Sequence, residues 1–199
     1  NTGGMGAYSP APVVTDAVHE RIMREIIEPT VSAMAADGRP FSGFLYAGLM
    51  IGTDGAPRVL EYNVRGGDPE TQPILMRLQS DFVDLCEAVA QGTLADVEPR
   101  WDTRAALGVV MVAGGYPGSY RKGDPIRGLE GLDADDLKVF HAGTARADDT
   151  VVTAGGRVLC VTALGRGVGD ARARAYAALA HIHWADAYWR DDIGHRALT

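Results

Sequence analysis

Five side chains able to bind a cation, a phosphate or an amine fall within ten residues, in Val59-Leu-Glu-Tyr-Asn-Val-Arg-Gly-Gly-Asp-Pro-Glu-Thr-Gln72. Alternate residues of a strand point to one face, so Glu61 and Asn63 can offer a carboxylate and an amide oxygen to the same hard cation. Arg65 continues the alternation and adds a planar guanidinium suited to a phosphate or a carboxylate. The turn that follows carries two more carboxylates, Asp68 and Glu70. Two oxygen donors, an arginine and an acidic turn suggest a magnesium–nucleotide site. The plainer alternative is an edge strand whose polar residues face water, closed by a turn in which Asp68 accepts from its own backbone.

Other residues could contribute. In Asn1-Thr-Gly-Gly-Met-Gly6, the glycines Gly3, Gly4 and Gly6 offer bare backbone N–H groups that could cradle a phosphate or a substrate carboxylate. Arg157 follows Gly155-Gly156, and Arg190 precedes Asp192-Ile193-Gly194; each could reach an anionic ligand, or pair with an aspartate to fix the fold. His141, His181 and His183 have no partner at metal or triad spacing and read as structural or surface residues. Cys86 and Cys160 stand alone, without metal-ligand spacing, and read as free thiols in a reducing compartment. No Walker loop, zinc pattern or Ser-His-Asp set occurs.

These residues need elements to position them. Residues 1–12 read as a glycine-rich loop closed by Pro10 and Pro12. Thr15 is a good N-cap for a helix carrying Val18, Ile22, Ile26 and Ile27 at helical spacing, with Pro29 expected to kink or interrupt it. Phe44–Ile51 and Arg58–Val64 are strands separated by the turn Thr53-Asp-Gly55, which makes a hairpin with Glu61 and Asn63 on its second strand. Residues 73–91 read as one amphipathic helix. Turn signals over 92–102 mark a boundary near residue 98. Beyond it, strands over 105–113, 137–141, 151–153 and 157–164 and an Ala-rich helix from about 169 to 183 make a small antiparallel β-rich domain.

Composition narrows the classes. The 199 residues are 46% hydrophobic and 23% charged, as in an ordinary globular protein. No apolar run approaches the ~20 residues that span a bilayer. The net charge of −7 is uneven: residues 1–98 hold 6 Arg against 14 Asp+Glu, and residues 99–199 hold 13 Lys+Arg against 12 Asp+Glu. No basic stripe with interleaved aromatics appears, which argues against nucleic acid as a partner.

Taken with Asn1–Pro12, Phe44–Ile51, Gly115-Tyr-Pro-Gly118, Phe140-His-Ala-Gly-Thr144, Thr153–Leu159 and Arg190-Asp-Asp-Ile-Gly194, the segment resembles the glycinamide ribonucleotide synthetase family of the ATP-grasp superfamily. The motifs run in the family's order over nearly the whole chain. The resemblance implies an α/β (α+β) chain: the second lobe of an ATP-grasp domain over residues 1–98, then the β-rich C-terminal domain over 99–199. It implies a cytoplasmic ATP-dependent ligase that joins glycine to 5-phosphoribosylamine through glycyl phosphate in purine biosynthesis. Glu61 and Asn63 would hold Mg2+ or Mn2+ and Arg65 would steady the transferred phosphoryl group. Asp68 or Glu70 would orient an amine, Leu60 would floor the adenine pocket or pack in the core, and Gly3, Gly4 and Gly6 would meet a phosphate. It further implies that the family's N-terminal domain and first ATP-grasp lobe precede Asn1, so that residues 1–199 alone are inactive. The family usually has Phe where this chain has Gly66; a Gly-Gly pair loosens the loop and removes an apolar anchor. Two alternatives are another ATP-grasp carboxylate–amine ligase and a non-catalytic remnant that binds nucleotide or packs against a partner.

Overall fold

Eight consecutive buried residues, Ala-Ala-Leu-Gly-Val-Val-Met-Val, form the strand β4 (Ala105–Val112) on which the larger part of the protein is built. A run buried on both faces belongs in the middle of a covered sheet. In the computed structural model, which describes residues 4–198, β4 lies inside an antiparallel four-stranded sheet. The order across that sheet is β1 (Gly6–Ser9), β4, β8 (Arg157–Gly165), β5 (Leu137–His141).

One face of the sheet, with Leu107, Val109, Met111, Leu159 and Val161, packs on α5 (Val168–Leu179) through Ala171, Ala175, Ala178 and Leu179. That i, i+4, i+7, i+8 spacing is one helical stripe, and small alanines let helix and sheet approach closely. The other face carries Val110, Val112 and Cys160 and packs with α3 (Thr71–Arg77). There a Cβ on Gly108 would lie 3.0 Å from both Cys160 Sγ and Thr162 Oγ1, so the glycine makes room for the side chains of β8. Burial pushes the Cys160 thiol up to about 11, and both cysteines are free. A hairpin of β6 (Thr144–Ala147) and β7 (Thr150–Thr153) completes the unit.

The second compact unit comprises Pro10–Gly67 and Gln79–Arg100. It holds α1 (Asp16–Ile22), α2 (Glu28–Ala36), the hairpin of β2 (Tyr46–Ile51) and β3 (Pro57–Asn63), and α4 (Phe82–Gln91). Thr15 caps α1, its hydroxyl accepting from Val18 N–H at 3.3 Å. Among the described residues no helix is long and apolar enough to cross a membrane.

Three expectations change and one is met. Gly6–Ser9, read as loop, is a strand paired with Ala106–Val109; a Cβ on Gly6 would lie 2.7 Å from Gly108 O, so the glycine serves strand packing. The single helix over 73–91 is two. Leu78 leaves α3 in an extended conformation and bridges Trp101, and the Asp81 carboxylate starts α4 by accepting from Val83 N–H at 2.7 Å. The helix that carries Pro29 is interrupted as expected: a π segment over Met23–Ile27 separates α1 from α2, and Pro29 sits in the first turn of α2. The late helix ends at Leu179, because His183 turns away to bridge Arg127. β1 and α3, which precede residue 98 in the chain, pack in the same unit as the strands that follow it.

Where the chain enters β4, Arg77 ties three segments together. It donates to the carbonyls of Asp102 and Arg104 and to the Ser9 hydroxyl. Asp102 is buried and takes a fork from Arg104, with Nη2 to Oδ2 at 2.7 Å. The Arg104 side-chain and backbone hydrogen bonds hold the Asp102 carboxyl below its usual value. A carboxyl depressed in the folded state adds stability that is present above its unfolded value, about 3.9, and is lost as pH falls through the folded value. Urea unfolding at a series of pH values is expected to show the protein weakening below about pH 4, with part of that slope removed by Asp102→Asn. An identical slope in the variant would place the acid sensitivity elsewhere.

Candidate functional site

The hairpin β2–β3 gathers the first set of residues. Glu61 stands opposite Gly48, and a built Cβ on Gly48 would lie 3.1 Å from Glu61 Cγ, so the glycine clears the carboxylate's path. Pairing then skips Leu60: Gly48 opposes Glu61 while Leu49 opposes Val59. Leu60 is therefore the extra residue of a β-bulge, a device that re-aims neighbouring side chains. It is 64% exposed, so the core alternative for Leu60 is set aside.

Glu61, Asn63 and Arg65 form one hydrogen-bonded line. Asn63 Nδ2 donates to Glu61 Oε1 at 3.4 Å, Arg65 Nη2 donates to Asn63 Oδ1 at 3.3 Å, and Arg65 Nη1 donates to Gly66 O at 3.0 Å. The same-face expectation thus holds within this unit. Turning the Asn63 amide over puts its oxygen beside the Glu61 carboxylate. One carboxylate and one amide oxygen suit a hard cation that keeps its other positions for phosphate oxygens and water, as Mg2+ does. Among the described residues no group of three or more His, Cys, Asp or Glu gathers to hold a metal, so phosphate and water would have to supply the remaining ligands.

A second set lies in the larger unit. Arg157, the first residue of β8, donates from Nη2 to Asp68 Oδ2 at 2.7 Å, and from Nη1 to Asp68 O at 3.0 Å and Gly4 O at 3.3 Å. The aspartate-pairing alternative for Arg157 is the one observed, and the residue paired is a site candidate. Gly4 is itself in close contact, since a Cβ would meet Pro69 Cδ at 2.7 Å. Gly3 lies outside the described residues.

Gly4, Met5, Gly6 and Tyr8 form one wall of a cleft of about 440 Å³; Arg190 and Asp192–Arg196 form the other. Arg190 forks onto Asp192, with Nε to Oδ1 at 2.7 Å and Nη2 to Oδ2 at 2.5 Å. The Arg190 guanidinium holds the Asp192 carboxyl below the usual carboxylate range. Two residues of α5 that the sequence reading passed over fix this loop. Tyr176 Oη donates to Arg190 O and accepts from Ile193 N–H at 3.2 Å, and Arg172 Nε donates to Ile193 O at 3.0 Å. The available signal was their i, i+4 placement on an otherwise alanine-lined helix. His141 bonds the Thr144 hydroxyl at 3.1 Å, in keeping with a structural role.

A family model described as phosphoribosylglycinamide synthetase, ATP-grasp (A) domain matches residues 1–71, and one described as phosphoribosylglycinamide synthetase, C domain matches residues 106–196. The phosphoribosylamine–glycine ligase of Vibrio cholerae is 62% identical over 199 residues, taking in 100% of this chain and 46% of that protein. That of Allochromatium vinosum is 61% identical with the same coverage. The chain spans about half the length of the curated relatives it matches. Among solved structures, the phosphoribosylamine–glycine ligase of Thermotoga maritima matches with a TM-score of 0.83 and 36% identity, over 98% of this chain and 47% of that one. The biotin carboxylase domain of Hydrogenobacter thermophilus 2-oxoglutarate carboxylase, solved with MgADP and bicarbonate, matches with a TM-score of 0.62. It covers 93% of this chain and 40% of that one; at 14% identity the likeness is one of fold alone.

Proposed function

Because the chain belongs to the phosphoribosylglycinamide synthetase family, we propose that it forms part of a cytoplasmic ATP-dependent ligase that joins glycine to 5-phosphoribosylamine. What supports this reading most is the 61–62% identity, over all 199 residues, to enzymes named for that reaction. A carboxylate acylates poorly because its oxygen is a bad leaving group. Transfer of the γ-phosphoryl group of ATP to glycine gives glycyl phosphate; the amine then attacks the carbonyl carbon and phosphate departs, leaving glycinamide ribonucleotide, ADP and phosphate. Such chemistry needs positioning and charge neutralisation more than an acid–base pair.

Each candidate takes a part in this reading. Glu61 and Asn63 hold a magnesium or manganese ion, which when bound neutralises the ATP phosphates. Arg65 faces the charge that moves with the phosphoryl group. Asp68 accepts from an amine and sets its direction; Glu70 is the other carboxylate of that turn. Leu60, exposed on its bulge, offers an apolar surface to adenine. Gly3 and Gly4, with Gly6 at the start of β1, offer backbone N–H groups to a phosphate, and the cleft beside Gly4 and Gly6 takes the ribose phosphate, with Arg190 as its cation.

The test is ADP release by the full-length protein containing this chain, with glycine and phosphoribosylamine each omitted in turn. Release is expected to need glycine; release indifferent to it points to a different carboxylate. Arg190→Ala is expected to raise KM for phosphoribosylamine about 10- to 100-fold, one lost charge-assisted contact, while kcat stays within about threefold. An unchanged KM removes Arg190 from the binding role.

A further inference from the structure

We propose that Arg157 is the positioning residue for Asp68 and the Gly4 stretch, and that it acts on the reaction through the Asp68 carboxylate; this rests on the ligase reading above. Arg157 grips one residue twice, at the main-chain oxygen (3.0 Å) and at Oδ2 (2.7 Å). The first bond fixes where the loop runs and the second fixes the rotamer of the carboxylate. The bond to Gly4 O ties the glycine-rich stretch to the same guanidinium. A planar fork with several donors can do this, and a lysine ammonium cannot do it with the same geometry.

The base of the fork is itself rigid. Arg157 opens β8 opposite Val112, and its carbonyl accepts from Gly143 N–H at 2.9 Å. Any side chain at Gly143 would press within 2.6 Å of that carbonyl. Two glycine motifs, around Gly143 and around Gly155, therefore converge on the backbone of this one residue. The side chains are unequally covered: Arg157 is 22% exposed and Asp68 is 53% exposed. A staple that only joined two segments would gain by covering both charges. Here the cation is tucked in and the carboxylate is steadied but left open, as suits a group that must meet an amine.

A double-mutant cycle in the full-length enzyme tests this. Steady-state kcat/KM is measured for glycine and for phosphoribosylamine in wild type, Arg157→Ala, Asp68→Asn and the double variant, with thermal unfolding of each. Arg157→Ala is expected to lower kcat/KM about 10- to 100-fold, as lost support for a working group does. In the Asp68→Asn background the same change should cost less than about threefold, because its effect passes through the missing carboxylate. Arg157→Lys, which keeps the charge but not the fork, should lose most of the same factor, and it carries the cycle should Arg157→Ala fail to fold. Losses that multiply in the double variant, or wild-type kinetics in Arg157→Lys, overturn the proposal. A wild-type enzyme whose ADP release ignores glycine instead overturns the reading beneath it.

Discussion

Glu61→Gln is expected to lower glycine-dependent ADP release by the full-length protein at least about 100-fold, the scale on which metal-site groups act. The substitution keeps shape and volume and removes one negative charge from the donor pair. Glu61 is exposed on β3 with Gly48 opposite, and the oxygen of a glutamine amide can still accept from Asn63 Nδ2 as the carboxylate does. Exposed substitutions of this kind change stability by no more than about 0.5 kcal/mol. The loss should therefore appear in activity and in divalent-ion affinity, with the unfolding transition unmoved. Titration with Mn2+, followed by its paramagnetic signal, separates the two. Weaker Mn2+ binding together with lost turnover supports the metal role. Full activity at low Mg2+ would sink it.

The second large effect belongs to Arg65. Arg65→Lys and Arg65→Met are each expected to lower kcat about 1,000-fold, the lower end of what an arginine facing a transferred phosphoryl group contributes. Lysine should not rescue, because Arg65 works as a fork: one nitrogen fixes the Gly66 carbonyl, and the other, released when the Asn63 amide turns over, meets the phosphoryl oxygens. A point charge can meet one of these at a time. The KM for ATP should change little, since the interaction grows only as charge moves. A variant in which KM rises while kcat holds would make Arg65 a binding residue for the resting nucleotide.

How far the chain could be read from its letters follows from which interactions are local. The hairpin carrying Glu61 and Asn63 was legible because alternation and the Thr53-Asp-Gly55 turn lie within one short stretch. The bulge at Leu60 was not, because it arises from how β2 and β3 register, and alternation read along a single strand carries no trace of it. The buried strands β4 and β8 announced themselves by apolar runs. β1 did not: four residues, Gly-Ala-Tyr-Ser, have no strand signature, and only the edge of β4 makes them one. The break between α3 and α4 escaped for the same reason. Periodicity runs on through Leu78, but its backbone is drawn off to Trp101. Among site residues, Asp68 and Arg157 were each visible as charged candidates. Their pairing joins positions 89 residues apart and needed the fold.

The edge pairing of β1 also bears on how the protein comes off the ribosome. Gly6 pairs with Val109, and Ser9 with Ala106. At a synthesis rate of roughly 5–20 residues per second, the first strand waits about 5–20 s before its neighbour exists. The 10–67 and 79–100 stretches emerge during that interval, so they have time to collapse into their own unit first. The larger unit can close only once β4 and β8 have been made. A truncation that starts near residue 98 would release β4 with one edge bare and the α3 side uncovered, the kind of surface that recruits other chains into aggregates. A nascent chain is exposed to the same hazard until translation has passed β8.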